Sequence, residues 1–223
     1  MTPGSTATPE LEIRLLGDVM LLRGGEVQAL PASKKTRALL GYLIAKGRPE
    51  SRARICELLW DGPDDPRGGL RWSLSKLRTL LDGEDLERLK ANREQVELGL
   101  DDVDIDLLAV RKLVVRGIAK VPEEDLVRAI ARFRGRFLEG LDLPNCVHFY
   151  AWCIAEREEV RALEVKLLTE LIGRLASRPD EALRYARALV ALDPLAEASH
   201  LRLIRLLAAP GPLHHTRLVR LRR

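Results

Sequence analysis

The chain has 223 residues, of which 46% are hydrophobic, 31% charged and only 4% aromatic, with a formal net charge of +4. That balance excludes general disorder and makes two ordinary domains the better reading of the length, rich in helix rather than in aromatic strands. The longest uncharged apolar stretch, Ala38 to Ala45, is far short of the ~20 residues that cross a bilayer, so no membrane partner is expected.

Met1 to Pro9, rich in Pro, Ser and Thr, has neither a basic start nor an apolar run and reads as a loose tail. From Glu10 to Pro31 short strands are predicted: Leu11, Ile13 and Leu15 alternate with Glu12 and Arg14, and Gly24-Gly25 marks a hairpin turn. Ser33 caps a first helix carrying Leu39, Leu40, Leu43 and Ile44, stopped by Gly47 and Pro49. Ser51 caps a short second helix with Ile55, Leu58, Leu59 and Trp60, ended by Asp61-Gly62-Pro63. Asp65 followed by Pro66 is an acceptor at the cap with a proline at the first helical position. A third helix is therefore predicted over 66–82, with Leu70, Leu74, Leu77 and Leu81 on one side.

Leu86 to Leu89 and Gln95 to Leu98 then alternate around a polar tip, Lys90 to Glu94, and predict a hairpin over 86–98. Strands, three helices and a hairpin compose an α+β winged helix-turn-helix over 10–101. From Asp104 the period is helical: Asp104 to Arg116, Pro122 to Phe133, Cys146 to Ala176, Pro179 to Leu192 and Pro194 to Ala208. The last two helices, joined through Leu192-Asp193-Pro194, resemble one tetratricopeptide-type pair. The expected organisation is a tail (1–9), a winged-helix domain (10–101), an all-α tetratricopeptide-like domain (102–209) and a basic tail or partial helix (210–223).

Bulk charge names no partner, since residues 1–100 hold 16 Lys/Arg against 15 Asp/Glu and the remainder 21 against 18. Local clusters do better: Arg67 to Leu81 holds four basic residues and no acid, and Arg217 to Arg223 holds four arginines. With the leucine stripe inward, Arg67, Arg71, Ser75 and Arg78 are assigned to the opposite side of the third helix and Trp72 and Lys76 to its flanks. Guanidinium groups pair with guanine edges in a major groove, while lysines and hydroxyls fix phosphates, so double-stranded DNA is the expected partner. A solvated basic helix surface would show the same residues. Lys90, Asn92 and Arg93 at the hairpin tip fit a wing on the minor groove or backbone. Lys34 and Lys35 stand in the first turn of the first helix, where the helix dipole disfavours cations, and Arg52 and Arg54 open the second; each pair reads equally as phosphate contacts or as solvated charge.

Cys146, His148 and Cys153 have no familiar metal spacing, and no catalytic motif or small-molecule cofactor site stands out; the chain is read as a non-enzyme without cofactor. Three cysteines with no C-x-x-C pair fit a reducing cytoplasm.

Several motifs in order resemble the antibiotic regulatory protein (SARP) family, which joins an OmpR/PhoB-like winged helix to a bacterial transcriptional activator domain. They are Leu15-Leu16-Gly17, Lys35 to Leu43, Leu58-Leu59-Trp60, Leu70 to Arg78, Phe133 to Leu141, Trp152 with Glu156-Arg157-Glu158, and Leu192 to Glu197. The resemblance implies that the third helix enters the major groove and that the hairpin is a wing. It further implies that Asp61, Asp64 and Asp65, between the second and third helices, touch RNA polymerase, and that the helical domain dimerises and activates from promoter direct repeats. Gly68-Gly69 departs from the family pattern and predicts a loosened first turn in the third helix. The competing reading is a protein-interaction scaffold whose winged helix no longer reads DNA.

Overall fold

The computed structural model describes residues 10–61, 65–83 and 86–208. Of these, the residues within Met1–Arg111 and Arg132–Glu159 form one compact unit, and those within Lys112–Ala131 and Val160–Arg223 a second.

The first unit opens with β1 (Leu11–Arg14), β2 (Met20–Arg23) and β3 (Glu26–Val27). Gly24 and Gly25 turn the β2–β3 hairpin at φ 58° and 86°, a left-handed pair that side chains with a Cβ resist. Three helices follow, each begun by the acceptor the sequence predicts. The Ser33 hydroxyl accepts from Thr36 N at 3.3 Å to start α1 (Lys34–Lys46), and Ser51 accepts from Arg54 N at 3.1 Å to start α2 (Arg52–Leu59). Asp65 accepts from Gly68 N at 2.9 Å to start α3 (Pro66–Leu81). Trp60 caps the end of α2 rather than extending it.

Leu70, Leu74, Leu77 and Leu81 are buried, as are Leu39, Leu40, Leu43 and Ile44 of α1 and Ile55, Leu58 and Leu59 of α2. Each such side chain contributes about 1.5–3 kcal/mol when fully removed from water, so the three-helix core anchors α3 by its inner side. One buried polar contact fixes its rotation: Ser73 Oγ and Thr36 Oγ1 meet at 2.9 Å between α3 and α1.

Beyond α3 the chain departs from the expected spans. The hairpin is β5 (Leu89–Ala91) and β6 (Gln95–Leu98), so Lys90 lies in a strand and Leu86 is exposed outside it. Asp82 Oδ1 takes the backbone N–H groups of Arg88 and Leu89 (2.9 and 3.1 Å), holding the chain to the end of α3 up to the first paired residue, Leu89. A two-residue strand, β4 (Glu50–Ser51), adds to β6 and gives the antiparallel order β4-β6-β5.

Asp104 and Ile105, expected to start a helix, form β7, which runs parallel to β1 and completes the sheet β3-β2-β1-β7. Asp106 then opens α4 (Asp106–Val115). Its carboxylate is 1% exposed and accepts from Leu15 N at 2.8 Å, Leu16 N at 3.0 Å and Arg134 Nη2 at 2.9 Å. Residues 132–146 are not helical. They lie against the β1–β2 connection: Arg134 N donates to Leu16 O (2.9 Å), Gly17 N to Arg136 O (3.1 Å) and Leu138 N to Leu15 O (3.0 Å). Phe137, Leu138 and Leu141 are buried there, and Phe137 meets Trp152 edge-on with Phe149 beside it.

The second unit is helical. It contains α5 (Glu123–Ile130), which stops three residues before Phe133, most of α6 (Val147–Arg174), α7 (Pro179–Leu192) and α8 (Glu197–Ala208). Helix α8 begins three residues after Pro194 because residues 193–196 turn, with Ala196 N donating to Asp193 O at 3.2 Å. Ala182 and Ala186 of α7 are fully buried and let α8 pack closely. Arg174 donates to the carbonyls of Ile118 and Ala119 at 2.9 and 3.0 Å, and Arg178 to Glu123 at 2.6 Å, tying α6 and the following turn to the 118–123 region. Among the described residues no helix is long and apolar enough to cross a membrane.

Candidate nucleic-acid interface

The outward side of α3 follows from the inward one. At 3.6 residues per turn the leucine stripe and Ser73 occupy one side, and the opposite centre falls on Ser75, Thr79 and Trp72, with Arg71 and Lys76 at its edges. The structure exposes all five. Trp72 is thus at the middle of the outward face rather than on its flank, and Thr79, absent from the predicted set, joins it, its hydroxyl donating to Ser75 O at 3.2 Å. Arg67 is exposed one turn earlier. Arg78 is half-buried rather than fully outward, and its Nε donates to Leu89 O of β5 at 3.4 Å, a long contact that takes one of its five donors.

The free charge of this face is concentrated in few groups. Arg67 makes no ion pair with a described residue. Arg71 lies 3.8 Å from Asp65, both side chains about 70% exposed (72% and 68%), a separation too loose and too wet to hold the guanidinium. The Lys76 ammonium lies 5.7 Å from the centre of the Trp72 ring.

The paired glycines do not loosen the helix, which is regular from Pro66. A Cβ at Gly68 would come within 2.3 Å of Asp65 Oδ2 and one at Gly69 within 2.6 Å of Trp60 Nε1. At Gly69 the Trp60 ring leaves no room for a Cβ, whereas at Gly68 the neighbour is the tip of the exposed Asp65 side chain, which can swing aside. Cys56 closes the same joint, its Sγ donating to Pro66 O at 3.6 Å, and burial pushes its thiol above the ordinary range.

Asn92 shapes the hairpin tip, its Oδ1 accepting from Glu94 N and Gln95 N, both at 2.8 Å. The exposed side chains of Lys90 and Arg93 stand on either side of it. Arg52 is half-buried and reaches back to this tip, with Nη1 3.3 Å from Asn92 O. Arg54 is exposed and loosely paired with Glu57 at 3.5 Å. Lys34 is exposed, whereas Lys35 is half-buried with its ammonium 6.0 Å from the Trp60 ring, one answer to its unfavourable place at a helix start. Asp61 and Asp65 are exposed between α2 and α3; Asp64 lies outside the described residues, as do 1–9 and 210–223 with the terminal arginine cluster.

One residue that sequence reasoning passed over sets the relation between wing and helix. Arg88 is 2% exposed; its Nη1 donates to Leu81 O at the end of α3 (2.6 Å), and its Nε and Nη2 grip Asp102 at 3.1 and 2.5 Å. The same contact holds the Asp102 carboxyl below its ordinary range. A lone arginine in an apolar-alternating run was the available signal, since a strand position facing the core does not carry a charge without a partner.

Away from this face, Cys146 Sγ donates to Leu59 O at 3.4 Å, Cys153 is buried and His148 exposed.

Residues 105–212 match the family model of the bacterial transcriptional activator domain. The fold is similar to that of EmbR from Mycobacterium tuberculosis, solved in complex with a low-affinity phosphopeptide: TM-score 0.53 and 21% identity, covering 89% of this chain and 65% of that one. This chain therefore spans just under two thirds of that protein's length. No curated protein matches it.

Proposed function

We propose, from the premise that this chain is a transcriptional regulator of the SARP type carrying a bacterial transcriptional activator domain, that it binds promoter DNA through α3 with the β5–β6 hairpin as a wing. The observation that carries the reading is the outward face of α3. Arg67, Arg71 and Lys76 stand exposed with one loose carboxylate, Asp65 at 3.8 Å from Arg71, on a helix whose other side is buried in the core. The first helical turn, the hairpin tip with Lys90, Asn92 and Arg93, and Lys34 and Arg54 supply donors for phosphates around it. Arg78, Lys35 and Arg52 act in this reading by holding α3, Trp60 and the tip in register.

Asp61, Asp64 and Asp65 are assigned to an RNA polymerase contact, a reading supported by the exposure of Asp61 and Asp65. The helical half is assigned to homodimerisation on direct repeats. Leu201, Ile204 and Leu207 of α8 are 42%, 58% and 58% exposed, and solvated apolar residues at that spacing favour a protein contact. The same observation favours the scaffold reading, in which only that contact survives.

Selection from a pool of random duplexes separates the two. Promoter reading yields an enriched sequence whose affinity falls steeply with salt, because several phosphates are neutralised. No enrichment, with a protein partner recovered on α7 and α8, leaves the scaffold.

A further inference from the structure

The largest side chain at the centre of the outward face of α3 is not a cation. Trp72 is 51% exposed and stands about 200° around the helix from the buried Leu70, where packing offers it nothing. Helical side chains lean toward the N-terminus, so the surface that Trp72 covers lies over the preceding turn. That turn is Gly68 and Gly69, and neither puts a side chain beside the ring. The Lys76 ammonium, 5.7 Å from the ring centre, occupies the C-terminal side. The indole therefore projects outward beyond a first turn whose glycines are backed by Asp65 and Trp60, flanked by Arg71 and Lys76, and no aromatic ring among the described residues stacks on it.

In a major groove the base edges are polar with one exception, the C5-methyl of thymine, which sits beside the O4 acceptor of the same base. An indole presents apolar carbons and a single N–H donor. Thymine is the base whose edge offers both complements side by side; a guanine or cytosine edge would strip water from its polar groups against ring carbons that cannot replace it.

Resting on the DNA-binding reading above, we infer that Trp72 is a specificity-determining residue that selects a thymine in each bound half-site through its C5-methyl group. Arg71 and Lys76 anchor the neighbouring phosphates or guanine edge on either side of the ring.

The test uses the full chain and the duplex enriched from the random pool, with each thymine replaced in turn by deoxyuridine, which removes only the methyl. Binding weakens about fourfold at one position per half-site, the value of one buried methyl at ~0.8 kcal/mol. Trp72→Ala binds the thymine and uracil duplexes equally, and Trp72→Phe, which keeps an apolar ring, retains part of the preference. Uracil tolerated at every position, or a uracil penalty that persists undiminished in Trp72→Ala, overturns the inference while leaving DNA binding intact. A pool that yields no enriched duplex overturns both.

Discussion

Arginine does two different jobs in two regions of this molecule. On α3, Arg67 and Arg71 extend into solvent with a single loose acidic neighbour at 3.8 Å between them. Around the second half of the first unit the same residue type is saturated: Arg88 holds Asp102 and Leu81 O, Arg132 holds Asp104 at 3.0 Å, Arg134 holds Asp106, and Arg157 donates to Phe137 O and Leu138 O, both at 2.9 Å. A guanidinium has five donors in a fixed fork, so once carbonyls and carboxylates fill it, nothing is left for a ligand. Composition and net charge count these residues alike. Only the satisfaction of their donors separates a positioning arginine from one available to a ligand.

The largest test removes the acceptor at the centre of the saturated region. Asp106→Ala strands Arg134 and the N–H groups of Leu15 and Leu16, and a cost of about 3–5 kcal/mol in urea unfolding is expected. If stability is unchanged, the buried cluster is not what joins 132–146 to β1.

Arg88→Ala is expected to cost about 2–3 kcal/mol, since a 2% exposed side chain leaves Leu81 O and Asp102 without a donor. It should also raise amide hydrogen exchange in β5 and β6 more than in α1. Uniform exchange across the unit would remove Arg88 from its place as the joint between wing and α3.

Arg71→Ala sharpens the comparison from the other side. Its stability should stay within about 0.5 kcal/mol of the parent, while affinity for the selected duplex falls by about 1–3 kcal/mol. A change in stability with no change in affinity would reverse the assignment of the two regions.

Carboxylates make the smallest test. Glu164 on α6 has no described partner, and burial pushes its carboxyl up from an ordinary 4.5 to about 7. The folded state thus holds the proton more tightly than the unfolded one, and stability present below pH 4.5 is lost as pH rises through 7. Glu164→Gln should flatten that decline and gain on the order of 1 kcal/mol at pH 8, read from thermal melts across the range.

The three caps, the Gly24-Gly25 turn and the leucine stripe of α3 were legible in the sequence because each is set by residues within one turn of one another. From them followed the inward side of α3 and, by subtraction, most of the outward one. What needed the fold were features made by distant partners. Asp104 and Ile105 read as helical until β1 offers them a parallel edge, and the stretch after α5 spends its backbone on the β1–β2 connection. Gly68 and Gly69 look like helix breakers until Asp65 and Trp60 are seen against them. Arg78 and Arg67 are the same residue type on one helix, and only the fold shows that Arg78 is half-buried with its Nε on Leu89 O while Arg67 is exposed. Local hydrogen bonds and periodicity are written in neighbouring residues, whereas the filling of an arginine's donors depends on atoms that only tertiary packing brings within 3 Å.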